Sequence, residues 1–432
     1  MADHVNEGNS QESPSHVEVA SGGDHQESAD TQPSHSLRDS KGWDGKLRID
    51  RNALIQNPEA LSDPEYSDTE NVLPGQEISA DQDLLDDEDP DTDDLSLMQS
   101  RIASIPDLRL ERFKQVKRLN LRQNLVQEIE GLSVLAPTLE ELDLYDNLVS
   151  HMRGLDKLTK LTSLDLSFNK IKHIRNIENL TNLTDLYFVS NKISRIEGLD
   201  TLVNLRQVEF ASNRIREIQN LDALKNLEEL WLAKNKITEL RGLEGLPKLR
   251  LLSVQSNRIT DLSPLREVPQ LEELYVSHNA LETLEGIEGN SHLTILEISN
   301  NKIISFKGLG GLKKLEEVWA SYNQVTDFAD VERELADKED LKTIYLEGNP
   351  LQLRQPALYR NKLRLALPQV LQIDATGFNA PRGISHGVKM QDSLRIDMIR
   401  SFGAQIITLD DRKYQIDHFQ PTMSTFDSPN AF

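Results

Sequence analysis

The chain has 432 residues, with 71 Asp/Glu against 48 Lys/Arg and a formal net charge of -23. It has no Cys, which excludes disulfides and thiolate zinc sites and favours a reducing intracellular setting. No window approaches the ~18 apolar residues of a membrane span, and the first residues lack the basic and apolar regions of a signal peptide.

The acidity is uneven. Residues 1–96 hold 25 Asp/Glu and 5 Lys/Arg, whereas 97–432 hold 46 and 43. Residues 1–96 are also too poor in apolar groups to bury a core, so a disordered acidic tail is expected. Its densest stretch, DQDLLDDEDPDTDD at 81–94, suits a solvated, solubilising role. Ser67 and Thr69 lie among acids in SDPEYSDTE and suit an acid-directed kinase. The nearly neutral remainder shows no basic face for nucleic acid.

Residues 97–115, LMQSRIASIPDLRLERFKQ, form the expected N-terminal cap of a repeat array. From 116 to 354 the pattern L-x-x-L-x-L-x-x-N-x-[IVL] recurs, as in LTSLDLSFNKI at 161–171. Its asparagine returns at Asn124, Asn147 and Asn169, and then every 22 residues to Asn323, with the last copy at Asn349. Eleven units at this period are the signature of a leucine-rich repeat. The expected fold is an α/β solenoid, with a curved parallel sheet on the concave face and short 3₁₀ or helical turns on the convex face.

Alternation along a strand sends Leu164 and Leu166 inward and the residues between them outward. The asparagine amide, which both donates and accepts, can bond backbone groups that the turn leaves unpaired. Stacked units leave exposed ends and so need caps. The last step lengthens to 26 residues because ADVERELADKEDL inserts an extra turn. Residues 355–375 read as a closing amphipathic helix through Leu358, Leu363, Leu365 and Leu367. In the extension 376–432, residues 391–403 have helical spacing and 404–409 suit a strand.

Nothing points to catalysis. The histidines outside the tail show no metal-ligand spacing, and no nucleophile elbow, P-loop or dinucleotide fingerprint is present. The expectation is therefore no enzyme, no metal, no cofactor and no small-molecule substrate. The informative residues are those four before each ladder asparagine: Asn120, Asp143, Asp165, Tyr187, Glu209, Trp231, Ser253, Tyr275, Glu297, Trp319 and Tyr345. They should line one outward column. Neighbouring columns add Glu141, Tyr145, Phe168, Glu229, Glu273, His278, Glu317 and Tyr322. Aromatics among carboxylates suit a protein-binding hot spot facing Lys and Arg. The competing expectation is that the rings shield the sheet or pack on one another. Eleven strands about 4.8 Å apart make a face about 50 Å long, which suits a globular protein or a long peptide.

Two segments, RQVEF at 206–210 and KIISF at 302–306, fit a short phosphatase-docking pattern. The repeat register sends Val208, Phe210, Ile303 and Phe306 into the core, so both read as products of repeat chemistry.

Eleven such units closed by Pro356, Leu358, Tyr359 and Arg360 resemble the leucine-rich-repeat regulatory subunit of type 1 protein phosphatase over residues 97–375. The resemblance implies binding of the phosphatase catalytic subunit through the concave face, roles in holoenzyme assembly and mitosis, and a nuclear location. It carries contact positions onto Asp165, Tyr187, Glu209, Trp231, Glu317, Trp319 and Tyr345. Tyr187 and Trp231 stand where that family usually has Phe. The periodicity adds Tyr275. A cytoskeletal or axonemal leucine-rich-repeat scaffold is the alternative.

Overall fold

The computed structural model describes residues 84–377. Ser67 and Thr69, and the extension beyond Gly377, lie outside the described residues. Within them the chain winds one strand per turn. The strands are β1 (Asp94–Ser96), β2 (Arg118–Asn120), β3 (Glu141–Asp143), β4 (Ser163–Asp165), β5 (Asp185–Tyr187), β6 (Gln207–Glu209) and β7 (Glu229–Trp231). They continue with β8 (Leu251–Ser253), β9 (Glu273–Tyr275), β10 (Ile295–Glu297), β11 (Glu317–Trp319), β12 (Thr343–Tyr345), β13 (Gln372–Ile373) and β14 (Thr376–Gly377). All lie in one sheet in chain order. Neighbours from β1 to β13 are parallel, and β14 turns back antiparallel on β13.

The inward leucines set this arrangement. The central residue of each strand from β1 to β12 is buried, as are Leu164 and Leu166 at 0% exposure. One turn cannot cover its own leucines, but stacked turns do, so a single core runs from Leu85 to Ile373. Return segments close with i to i+3 bonds: the Leu180 amide donates to Ile177 at 2.9 Å and the Leu183 amide to Leu180 at 3.0 Å. Longer 3₁₀ pieces occur at Leu132–Leu135 and Ser263–Glu267. The expected short turns are therefore present, mostly as single turns.

The ladder asparagines tie turn to turn. The Asn213 Nδ2 group donates to Phe188 in the preceding turn at 2.7 Å and to Phe210 in its own at 3.0 Å. Its Oδ1 atom accepts from the Ile193 amide at 2.9 Å. The Phe188 and Phe210 carbonyls also accept from Asn191 and Asn235, at 3.3 and 2.9 Å, so Asn213→Ala chiefly orphans the buried Ile193 amide. We expect a loss of about 2 kcal/mol in unfolding free energy, read by denaturant titration.

Two expectations are corrected at the ends. Residues 84–96, expected in the tail, are part of the solenoid. Leu85 and Leu95 are buried at 1% exposure, and β1 pairs with β2. The Asp-rich setting hid these leucines, and Ser100 stands where a ladder asparagine would. The 26-residue step holds helix α1 (Phe328–Leu335), whose N-cap Asp327 accepts from the Ala329 amide at 2.9 Å.

At the C-terminal end, a short α2 (Pro350–Leu353) precedes α3 (Pro356–Ala366). Helix α3 buries Tyr359, Leu363 and Ala366, with Leu367 just beyond, whereas Leu358 and Leu365 are exposed. The buried stripe starts one residue later than expected because Tyr359 reaches Asp374: its hydroxyl donates to Oδ1 at 3.1 Å. The same oxygen accepts from the amides of Leu346 and Glu347, at 2.9 and 3.1 Å. Tyr359→Phe keeps the ring and removes one of three donors, so a loss of about 1 kcal/mol is expected in thermal unfolding.

Candidate functional site on the outer face of the sheet

The strand register places the outward residues in one line. Asp143 pairs with Asp165, Asp165 with Tyr187, Tyr187 with Glu209, and Glu209 with Trp231. The line continues through Ser253 and Tyr275 to Glu297, Trp319 and Tyr345. The column expected from spacing alone is thus a physical column, one residue per strand.

Its rings are held in place. Trp231 stacks on Tyr275 with centroids 6.3 Å apart, and Trp319 on Tyr345 at 4.5 Å. The Trp319 indole donates to Glu317 at 2.8 Å, and the Trp231 indole to Glu229 at 3.3 Å. The Gln372 amide donates to the Tyr345 hydroxyl at 2.6 Å. Packing among the rings, the competing expectation, is therefore present in two pairs. It leaves Trp231, Trp319 and Tyr345 half-buried, and stacked rings present a large surface at low entropic cost.

Tyr275 departs from the expected exposed anchor. It is 5% exposed, and its hydroxyl donates to Glu273 at 2.7 Å. The cause is Ser253, which lies between Trp231 and Tyr275 in the column and is 1% exposed. A small side chain there lets the flanking rings close over it. Tyr275 therefore supports Trp231, a role that a lone serine among large residues could have signalled.

The acids of the column are poorly solvated. Burial, and then the charges of Asp165 and Glu229, push the Glu209 carboxyl up to about 7. Burial also raises Asp165, and it raises Asp143 with help from Asp165. Burial raises Tyr187 as well, with the carboxylates of Asp185 and Glu209 adding to it. Arg122 sits 3.5 Å from Asp143, yet Asp143, Asp165 and Glu209 all remain shifted upward. Such a surface gains from a partner that supplies positive charge.

A second aromatic group flanks the first. The Arg122 guanidinium lies over the Tyr145 ring at 4.1 Å, and Tyr145 packs on Phe168 at 4.7 Å. By contrast, Val208, Phe210, Ile303 and Phe306 are all at 0% exposure, so the apolar positions of the two short docking-like segments are core. Among the described residues, no group of His, Cys, Asp or Glu could hold a metal ion, and no helix is long and apolar enough to cross a membrane.

The stacked strands and asparagine ladders define a leucine-rich-repeat solenoid. Family models described as leucine-rich repeats match residues 114–171, 225–267, 247–289 and 289–312. The fold recurs in an internalin from Listeria monocytogenes: TM-score 0.54, 23% identity, 66% of this chain and 87% of that one. It also recurs in the APL1 leucine-rich-repeat domain: TM-score 0.54, 24% identity, 72% and 86% coverage. These two likenesses concern the fold alone.

Among curated proteins, the chain is similar to protein phosphatase 1 regulatory subunit SDS22 of Schizosaccharomyces pombe. It is 53% identical over 86 residues, which are 20% of this chain and 25% of that one. SDS22 of Saccharomyces cerevisiae is 44% identical over 88 residues, 20% of this chain and 26% of that one. Protein phosphatase 1 regulatory subunit 7 of Bos taurus is 60% identical over 43 residues, 10% and 11%. The chain thus spans about a quarter of the length of the yeast relatives it matches. Within the leucine-rich-repeat class, these matches support the regulatory subunits of protein phosphatase 1 as the family that the chain resembles.

Proposed function

We propose that this chain is a non-catalytic regulatory subunit that binds the catalytic subunit of type 1 Ser/Thr protein phosphatase. Binding uses the concave, outer face of the sheet and controls the phosphatase's assembly, localisation or activity in the nucleus and in mitosis. One observation carries the binding face: acids and rings stand in register along a single column. Rigid rings beside under-compensated carboxylates favour a globular partner with Lys and Arg at its surface. The partner's identity draws on the names of the curated relatives.

The test is affinity capture with the full-length chain, followed by mass spectrometry and by titration against purified phosphatase catalytic subunit. Recovery of the catalytic subunit and saturable binding are expected. Recovery of tubulin or dynein components without phosphatase would overturn the reading in favour of a cytoskeletal scaffold.

A further inference from the structure

The residue just before each ladder asparagine lies where the chain leaves the strand, and its backbone is left-handed. In the ten turns from Gln123 to Tyr322, φ at this position runs from 52° to 57°. That region is unfavourable for L side chains, least so for Asn and Asp and most for bulky ones. Eight of the ten residues are Gln, Asp, Ser, Lys, His or Asn. The exceptions are Phe168 and Tyr322.

Neither ring serves the core. Phe168 is 36% exposed and Tyr322 is 56% exposed, whereas the leucines of their turns fill the interior. Each ring is nevertheless seated. Phe168 packs on Tyr145. The Tyr322 ring lies over Gly348, the corresponding residue of the next turn, where an added Cβ would overlap it. Two large apolar groups therefore occupy strained, solvent-facing positions that smaller polar residues fill elsewhere. Strain kept for a ring that stays outside the core is the kind of outlier from which a functional role is inferred.

We propose that the binding surface extends from the strand column onto this rim, with Phe168 and Tyr322 as two further anchors for the same partner. This rests on the reading of the outer face as a phosphatase-binding surface. The two rings are seven turns apart, about 34 Å at about 4.8 Å per strand. That span suits a folded domain touching both ends of the face rather than a short peptide.

The test uses Phe168→Asn and Tyr322→Asn in the full-length chain, with the phosphatase catalytic subunit as probe. Asparagine tolerates the left-handed backbone and solvent, so each variant should melt at or above the wild-type temperature. Each should bind about tenfold more weakly, as expected for loss of an aromatic anchor. Failure of the wild-type chain to bind would overturn the functional reading and this inference with it. Wild-type binding that both variants match would overturn the rim anchors alone. A lowered melting temperature with binding weakened only in proportion would make the rings structural and equally overturn the proposal.

Discussion

Glu209→Gln should make the isolated protein more stable at pH 8 by about 3 kcal/mol, while leaving it nearly unchanged at pH 4.5. The Glu209 side chain is 9% exposed and lies in the column with Asp165, with Glu229 on the neighbouring strand. Its carboxyl is pushed from the ordinary 4.5 up to about 7 by burial and then by those two charges. A raised acid keeps its proton in the folded state when the unfolded chain has already released it. The stabilisation is complete below about pH 4.5 and is lost as pH rises through about 7. A neutral isostere does not ionise, so the variant should have a flatter stability profile across that window. Denaturant unfolding at several pH values checks this, and identical profiles would refute it. Asp165 and Asp143 shift in the same direction, so the wild-type profile should keep some slope in the variant.

The same displacement bears on binding. A partner cation placed beside Glu209 favours its ionised form, so association should release a proton between about pH 5 and pH 7. Wild-type affinity should therefore rise with pH over that interval, and the Gln variant should lose much of the increase. Titrating the catalytic subunit at the two ends of the window reads the difference directly.

Much of this site was legible in the sequence because backbone chemistry dictates it. An asparagine at 22-residue spacing is needed where one amide must serve carbonyls in two turns, as Asn213 does. Leucines two apart must face inward, so Trp231 or Trp319 between inward neighbours must face out. What stayed hidden depends on neighbours outside the pattern. The first strand was masked by acids around Leu85 and Leu95, although each leucine is buried. Tyr275 read as exposed because its fate turns on Ser253 one strand away. The left-handed backbone at Phe168 and Tyr322 has no sequence mark where the residue is neither Gly nor Asn. The stripe of α3 shifted because Tyr359 is drawn inward by Asp374, eight residues beyond the helix end.

Trp319→Ala should weaken binding of the phosphatase catalytic subunit by about 3 kcal/mol, close to a hundredfold, while lowering solenoid stability by about 1 kcal/mol. The asymmetry follows from where the ring stands. It stacks on Tyr345 at 4.5 Å, and its indole donates to Glu317 at 2.8 Å, so it is ordered before any partner arrives. It fills no part of the interior, which Val318 and Ala320 on either side of it supply at 0% exposure. Truncation therefore removes a preorganised contact without opening a cavity. Trp319→Phe keeps a stacking ring but not the indole donor, so it should recover much of the affinity. If the alanine variant bound as tightly as wild type, the C-terminal end of the column would not be part of the interface. If the phenylalanine variant bound as weakly as the alanine variant, the indole hydrogen bond, rather than the stacked surface, would be the main contribution.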